Sequence, residues 1–208
     1  TRFDVPAIHV NSWFDYGAEQ TLALFELFKR NAASAKAREN QYVIISPTPH
    51  CGSESATEHT IVGERDVGDA RYPYWTLYLD WFDYWLKGEG DGLRTTPKVR
   101  YYVIGASEWR TANTWPVPDM RPVSYFLAST RGANTGGGDG TLTVARPTRS
   151  GQDTLSYDPD NPVPSRGGTI CCTGNPKDQP GIFDQADLAE RSDILVYSTP
   201  PLPAPLTI

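Results

Sequence analysis

The chain has 208 residues and a formal charge of −6, with 19 Lys and Arg scattered among 25 Asp and Glu, so no basic tract could neutralise a row of phosphates and nucleic acid is excluded as a partner. No apolar run reaches the ~18–20 residues that span a bilayer, and the opening TRFDVPAIHV lacks the basic-then-apolar order of a signal peptide, so no membrane partner is expected. A hydrophobic content of 38% supplies a core for one large domain or two small ones.

The first β-prone run is VPAIHV at 5–10, with Pro6 tolerable at a strand start. After the turn NSWFDYG, apolar residues at 22, 24, 25, 27 and 28 repeat at helical spacing from about Ala18 to Ala33, with Glu19 in the first turn and Lys29 and Arg30 in the last. A polar stretch at 34–40 precedes QYVIISP (41–47), a continuous β-branched run of the kind buried in a parallel sheet. The order is β-α-β. Residues 48–73 show no period and read as a long functional loop. YWTLYLDWFDYWLK then forms a helix whose Trp75, Tyr78, Leu79, Phe82 and Leu86 share a face expected to dock on a sheet, with Trp81 and Trp85 widening it and glycines at 88, 90 and 92 ending it.

Beyond GEGDGL the texture changes to short β-prone runs, KVRYYVIG (98–105), PVSYFLAS (122–129) and GTLTVARP (140–147), separated by Gly, Pro, Asn and Asp, with DILVYSTPPL as a last strand candidate. A β-sandwich is expected from about residue 97. It has fewer runs than a complete sandwich needs, and the first residue is not Met, so both ends read as cuts in a longer chain.

Two residues stand just past strand candidates, Asp15 after the first and His50 after QYVIISP. The carboxyl ends of neighbouring parallel strands open onto one crevice, so the two side chains are expected to meet there. An Asp that accepts from a His ring fixes its tautomer and stabilises its protonated form, the general-base half of a nucleophilic triad. A turn-capping Asp and a loop His are the bland alternative. Tyr16, next to the acid, is placed to line the same crevice. His9 sits inside a strand run and reads as a core histidine. His59, with Glu54 and Glu58, lacks a second His at ligand spacing, and adjacent Cys171 and Cys172 rarely chelate one tetrahedral ion, so no metal is expected.

HVNSWFDYG, ISPTPHCGS, LYLDWFDYWLKGEGDG, VRYYVIGASEWRTANTWP, YDPDNPVPSRGG and FDQADLAERSDILVYST together resemble the second half of the CocE/NonD acyl hydrolases, in family order and over nearly the whole chain. The resemblance implies an α/β plus all-β fold: residues 1–90 closing an α/β-hydrolase domain, 91–97 a linker, and 98–208 the beginning of a jelly-roll β-sandwich. It implies a serine hydrolase that cleaves ester or amide bonds, including X-Pro dipeptidyl bonds, with Asp15 and His50 as catalytic acid and base and no cofactor. The serine is missing: no G-x-S-x-G occurs here, and Gly105-Ala106-Ser107 lacks the second glycine. The implied partners are a small ester or peptide substrate and the upstream part of the hydrolase, in the same gene or a separate chain. Alone, this chain should hydrolyse nothing.

The resemblance also gives the cysteines a place. GGTICCTGN matches a jelly-roll loop that folds back to shape the acyl pocket, which makes Cys171 and Cys172 substrate-lining residues and suggests a disulfide from Cys51 to one of them, in preference to a strained Cys171–Cys172 bond. Three free thiols are the alternative; a bridge would favour a secreted or periplasmic protein. Glu54, Glu58 and Glu64 could rim the site and attract a free amine. The rival class is a non-catalytic β-sandwich that binds peptide or carbohydrate through its aromatics.

Overall fold

The computed structural model describes residues 3–175 and 179–207. It divides into two compact units, Thr1–Met120 with Gly167–Phe183, and Arg121–Arg166 with Asp184–Ile208.

The first unit is built on a four-stranded sheet. β1 (Ala7–Phe14) and β2 (Gln41–Pro49) pair in parallel, connected through α1 (Ala18–Asn31) and the short α2 (Ala35–Glu39). α2 occupies part of the polar stretch at 34–40; the Ser34 hydroxyl accepts from the Ala37 N–H and caps it. The apolar run of β2 is explained by burial on both faces. Tyr42 and Ile44 pack with Tyr74, Leu77, Trp81 and Leu93 on one side, and Val43 and Ile45 with Leu22, Phe25 and Val99 on the other. With successive side chains alternating across a strand, α1 covers one face and α3 (Tyr74–Phe82), extended by a π-helical turn at 83–87, covers the other.

α3 corrects one expectation. Its buried side chains are Tyr74, Leu77 and Trp81, while Trp75, Leu79, Phe82 and Leu86 are 70, 65, 55 and 77% exposed. The helix is apolar nearly all round, so periodicity could not choose which face docks.

The run at 98–105 also lands elsewhere than expected. β5 (Val99–Val103) pairs in parallel with β2, and β6 (Glu108–Ala112) closes the sheet antiparallel to β5. The β5 side chains share cores with β2 and with the loop before α3, so residues 98–112 belong to the first unit rather than opening a sandwich. Nor is 91–97 a free linker: Leu93 is buried in the core, and its carbonyl accepts from the Tyr42 hydroxyl at 2.8 Å.

The long loop at 48–73 carries a two-by-two hairpin, β3 (Ile61–Val62) and β4 (Arg65–Asp66). Val62, Val67, Ala70 and Tyr102 form a third buried cluster beneath it, and the Tyr102 hydroxyl donates to the Val67 carbonyl at 2.7 Å. The returning segment 167–183 bonds to β3: Ile182 N–H donates to Val62 O, and Glu64 N–H to Ile182 O. Gly63, at φ +66°, makes that approach feasible, since a Cβ there would lie 2.2 Å from the Ile182 carbonyl oxygen.

The second unit has far less regular structure. β7 (Phe126–Ala128) and β8 (Thr141–Thr143) pair antiparallel, three residues each, and the expected strand at 193–202 is reduced to an isolated bridge between Thr141 and Ser198. Its ties are largely polar. Asp153 accepts from Ser129 and Tyr197, Asp139 from the Thr130 side chain and the Gly132 N–H, and Arg166 and Arg191 pair with Asp187 and Asp193 at 2.6 Å each.

Candidate active site

The register of β1 and β2 pairs Phe14 with Pro49, so Asp15 and His50 are the next residue past each paired end. An irregularity between Ser12 and Phe14, where β1 advances two residues and β2 three, brings the two ends level. Asp15 is buried and held in a local turn: its N–H donates to Ser12 O, and its Oδ1 accepts from Gly17 N–H, both at 3.0 Å. Oδ2 is left for His50, whose Nδ1 stands 2.6 Å away. An ionised carboxylate can only accept, so Nδ1 carries the proton and the Nε2 lone pair is uncommitted to the acid. The His50 side chain is 36% exposed against 11% for Asp15, an acid held inside and a base that reaches outward.

Below the pair lies a cluster not anticipated from the sequence. Ser12, Ser46, Thr48 and Ser53 are all buried, and the Ser12 Oγ lies 2.8, 3.0 and 2.9 Å from the hydroxyl oxygens of the other three. Ser46 reaches Thr48 and Ser53 at 2.8 and 2.9 Å. These bonds tie the ends of β1 and β2 to the 53–55 turn that follows His50. The only sequence signal was the presence of hydroxyls inside otherwise apolar strand ends.

Tyr16 is 65% exposed and lies roughly parallel to the His50 ring, with centroids 6.0 Å apart. Trp13 turns inward to the α1-side core, and its Nε1–H donates to Tyr102 O at 2.7 Å. His9 is a half-buried strand histidine 3.1 Å from Gln41 Oε1, and burial holds its pKa below the ordinary 6.5. His59 pairs with Asp66 at 3.2 Å, Glu54 accepts from the Tyr78 hydroxyl at 2.9 Å, and Glu58 lies 3.8 Å from Arg71, so Glu54 and Glu58 are engaged with neighbours. Glu64 is tied to the returning segment through its backbone.

The expected disulfide is corrected. Cys171 and Cys172 are joined to each other, and Cys51 is free and exposed. The peptide bond itself keeps the adjacent pair at a Cα separation of 3.8 Å, whereas Cys51 sits in a left-handed turn at φ +56° beyond His50. The pair nonetheless lies at the candidate site: both Sγ atoms and a ring nitrogen of His50 are within 4.8 Å of one another.

Residues 91–208 match the family of the X-Pro dipeptidyl-peptidase C-terminal non-catalytic domain. Cocaine esterase from Rhodococcus sp. (strain MB1 Bresler) is 32% identical over 206 residues, covering 98% of this chain and 33% of the esterase. A solved aminopeptidase from a marine sediment Thaumarchaeota archaeon superposes with a TM-score of 0.60 at 23% identity, over 95% of this chain and 31% of its own, a likeness of fold. The chain thus spans about a third of the length of these relatives. It belongs to the CocE/NonD family, as part of its C-terminal portion, with residues 91–208 in the domain described as non-catalytic.

Proposed function

We propose that this chain supplies the acid and base of a serine hydrolase, with Asp15 orienting His50 and the nucleophilic serine contributed from outside these residues. The observation that carries this reading is the 2.6 Å contact between His50 Nδ1 and Asp15 Oδ2 at the carboxyl ends of adjacent parallel strands. Residues 1–90, with β5 and β6, then close an α/β-hydrolase domain, and the second unit, Arg121–Arg166 with Asp184–Ile208, begins a non-catalytic jelly roll. The parallel strands flanked by helices and the fold likeness to the archaeal aminopeptidase support the first assignment.

In the reaction, the serine oxygen attacks the carbonyl carbon of an ester or amide as His50 Nε2 takes its proton. Asp15 stabilises the resulting imidazolium. The proton passes to the leaving alcohol or amine as that bond breaks, leaving an acyl-enzyme, and a water activated by the same nitrogen completes hydrolysis. Tyr16, beside the His50 ring, and the Cys171–Cys172 segment line the acyl side. The substrate is an ester or an X-Pro dipeptidyl amide.

In the complete hydrolase carrying these residues, Asp15→Asn should lower kcat by about 10⁴ and His50→Ala by about 10⁶. Near-normal turnover in either variant removes the assignment. The isolated chain should show no turnover of an activated ester.

A further inference from the structure

The described residues include one cluster of three soft or borderline metal ligands: His50, Cys171 and Cys172. Three features of it are independent of any hydrolytic reaction. Both sulfurs and a ring nitrogen already lie within 4.8 Å of one another. Ligands of a tetrahedral zinc stand about 2.0–2.3 Å from the ion, so a small side-chain adjustment suffices for all three to share one. The Asp15 carboxylate holds His50 through Nδ1 at 2.6 Å, the arrangement that orients metal-binding histidines and raises the basicity of the other nitrogen. The segment bearing the sulfurs is fastened to β3 by the bonds between Ile182, Val62 and Glu64. Adjacent cysteines alone make a poor chelate; here an oriented imidazole supplies a third ligand.

We propose that reduction of the Cys171–Cys172 disulfide turns this cluster into a binding site for one soft or borderline divalent cation, of the zinc type, held by two thiolates and His50 Nε2. A phosphine reductant and water convert the disulfide to two thiols and a phosphine oxide. The cation then replaces the two thiol protons, which pass to solvent, and no further electron moves. The fourth position stays open to water. Because the ion takes the Nε2 lone pair, the metal-bound form cannot accept a proton from a serine; this last consequence rests on the proposed hydrolytic reading, while the binding does not. The oxidised form offers no thiolates.

The test uses the 208-residue chain with Co²⁺ as a spectroscopic probe. After phosphine reduction and removal of the reductant, one equivalent of Co²⁺ should produce a near-ultraviolet thiolate-to-cobalt band and the visible bands of tetrahedral Co²⁺, and Zn²⁺ should displace it. The disulfide form should show neither. Cys171→Ser and Cys172→Ser should each lose about half of the thiolate band and at least tenfold in affinity. His50→Ala should keep the thiolate band but bind at least tenfold more weakly. Cys51→Ser should leave the spectrum unchanged. The proposal is overturned if the reduced chain gives no thiolate band, if the disulfide form gives an equal one, or if Cys51→Ser abolishes a band that survives Cys171→Ser. Failure of the hydrolytic reading would appear instead as retained turnover in His50→Ala of the complete hydrolase, while the reduced 208-residue chain still gives the thiolate band and its dependence on Cys171, Cys172 and His50.

Discussion

The two units hold themselves together by different means. In the first, β2 is buried on both faces, and Phe25, Tyr42, Val43, Ile44, Ile45 and Val99 are almost wholly shielded from water. In the second, the buried apolar residues among those described are Ala133 and Leu188, and the ties are carboxylates bonded to hydroxyls, backbone N–H groups and two arginines. Packing fixes positions to fractions of an ångström, whereas exposed polar ties are screened and weak. The Asp15–His50 pair belongs to the tightly packed unit, which suits an arrangement that depends on a hydrogen-bond distance.

The contrast should be plainest in truncation variants. Phe25→Ala removes a ring sealed between α1 and the sheet and should cost about 3–5 kcal/mol in urea unfolding followed by tryptophan fluorescence. Ser12→Ala should cost about 1–3 kcal/mol, because it leaves buried hydroxyls of Ser46, Thr48 and Ser53 with fewer partners. Leu127→Ala, in the exposed middle of β7, should change stability by no more than about 0.5 kcal/mol. Equal losses for Phe25→Ala and Leu127→Ala would erase the distinction between the units.

Acid separates them in a second way. His9 has its native pKa pushed below 6.5 by burial, so the unfolded chain binds its proton first and the first unit should lose stability as pH falls from about 6.5 through the native value. In the second unit, Asp139 is held below 3.8 by Thr130, Asp153 by Ser129 and Tyr197, Asp187 by Arg166, and Asp193 by Arg191. Their contribution is complete above 3.8 and is lost only as pH falls through the depressed values; Asp66 and Asp69 of the first unit share that lower window. Amide exchange at stepped pH should therefore show the first unit loosening in the higher window, and His9→Gln should flatten that slope. An unchanged slope in His9→Gln would discard the histidine as its cause.

These physical differences also decide what could be read from the sequence. QYVIISP announced a doubly buried strand because both of its faces are apolar, and Asp15 and His50 were visible because chemistry at strand ends is a matter of chain order. α3 was visible as a helix but not in its orientation, since Trp75 and Trp81 look equally suited to burial. β6 and the β3–β4 hairpin passed unseen because EWRTA and RD carry no alternation strong enough to mark a strand. The hydroxyl cluster was hidden for the opposite reason: Ser and Thr are common on surfaces, and only the register of β1 against β2 brings Ser12, Ser46 and Thr48 together. That Cys51 stays free could not be read from spacing, because its reach to Cys171 or Cys172 depends on where the returning segment lies.

Asp15 fixes the His50 ring with its proton on Nδ1 and its lone pair on Nε2. The ¹⁵N chemical shifts of the two His50 nitrogens, measured where the ring is neutral, test it directly. The native chain should show the Nδ1–H tautomer, with that preference lost in Asp15→Ala. An Nε2–H tautomer in the native chain, or one indifferent to removal of the carboxylate, would contradict it.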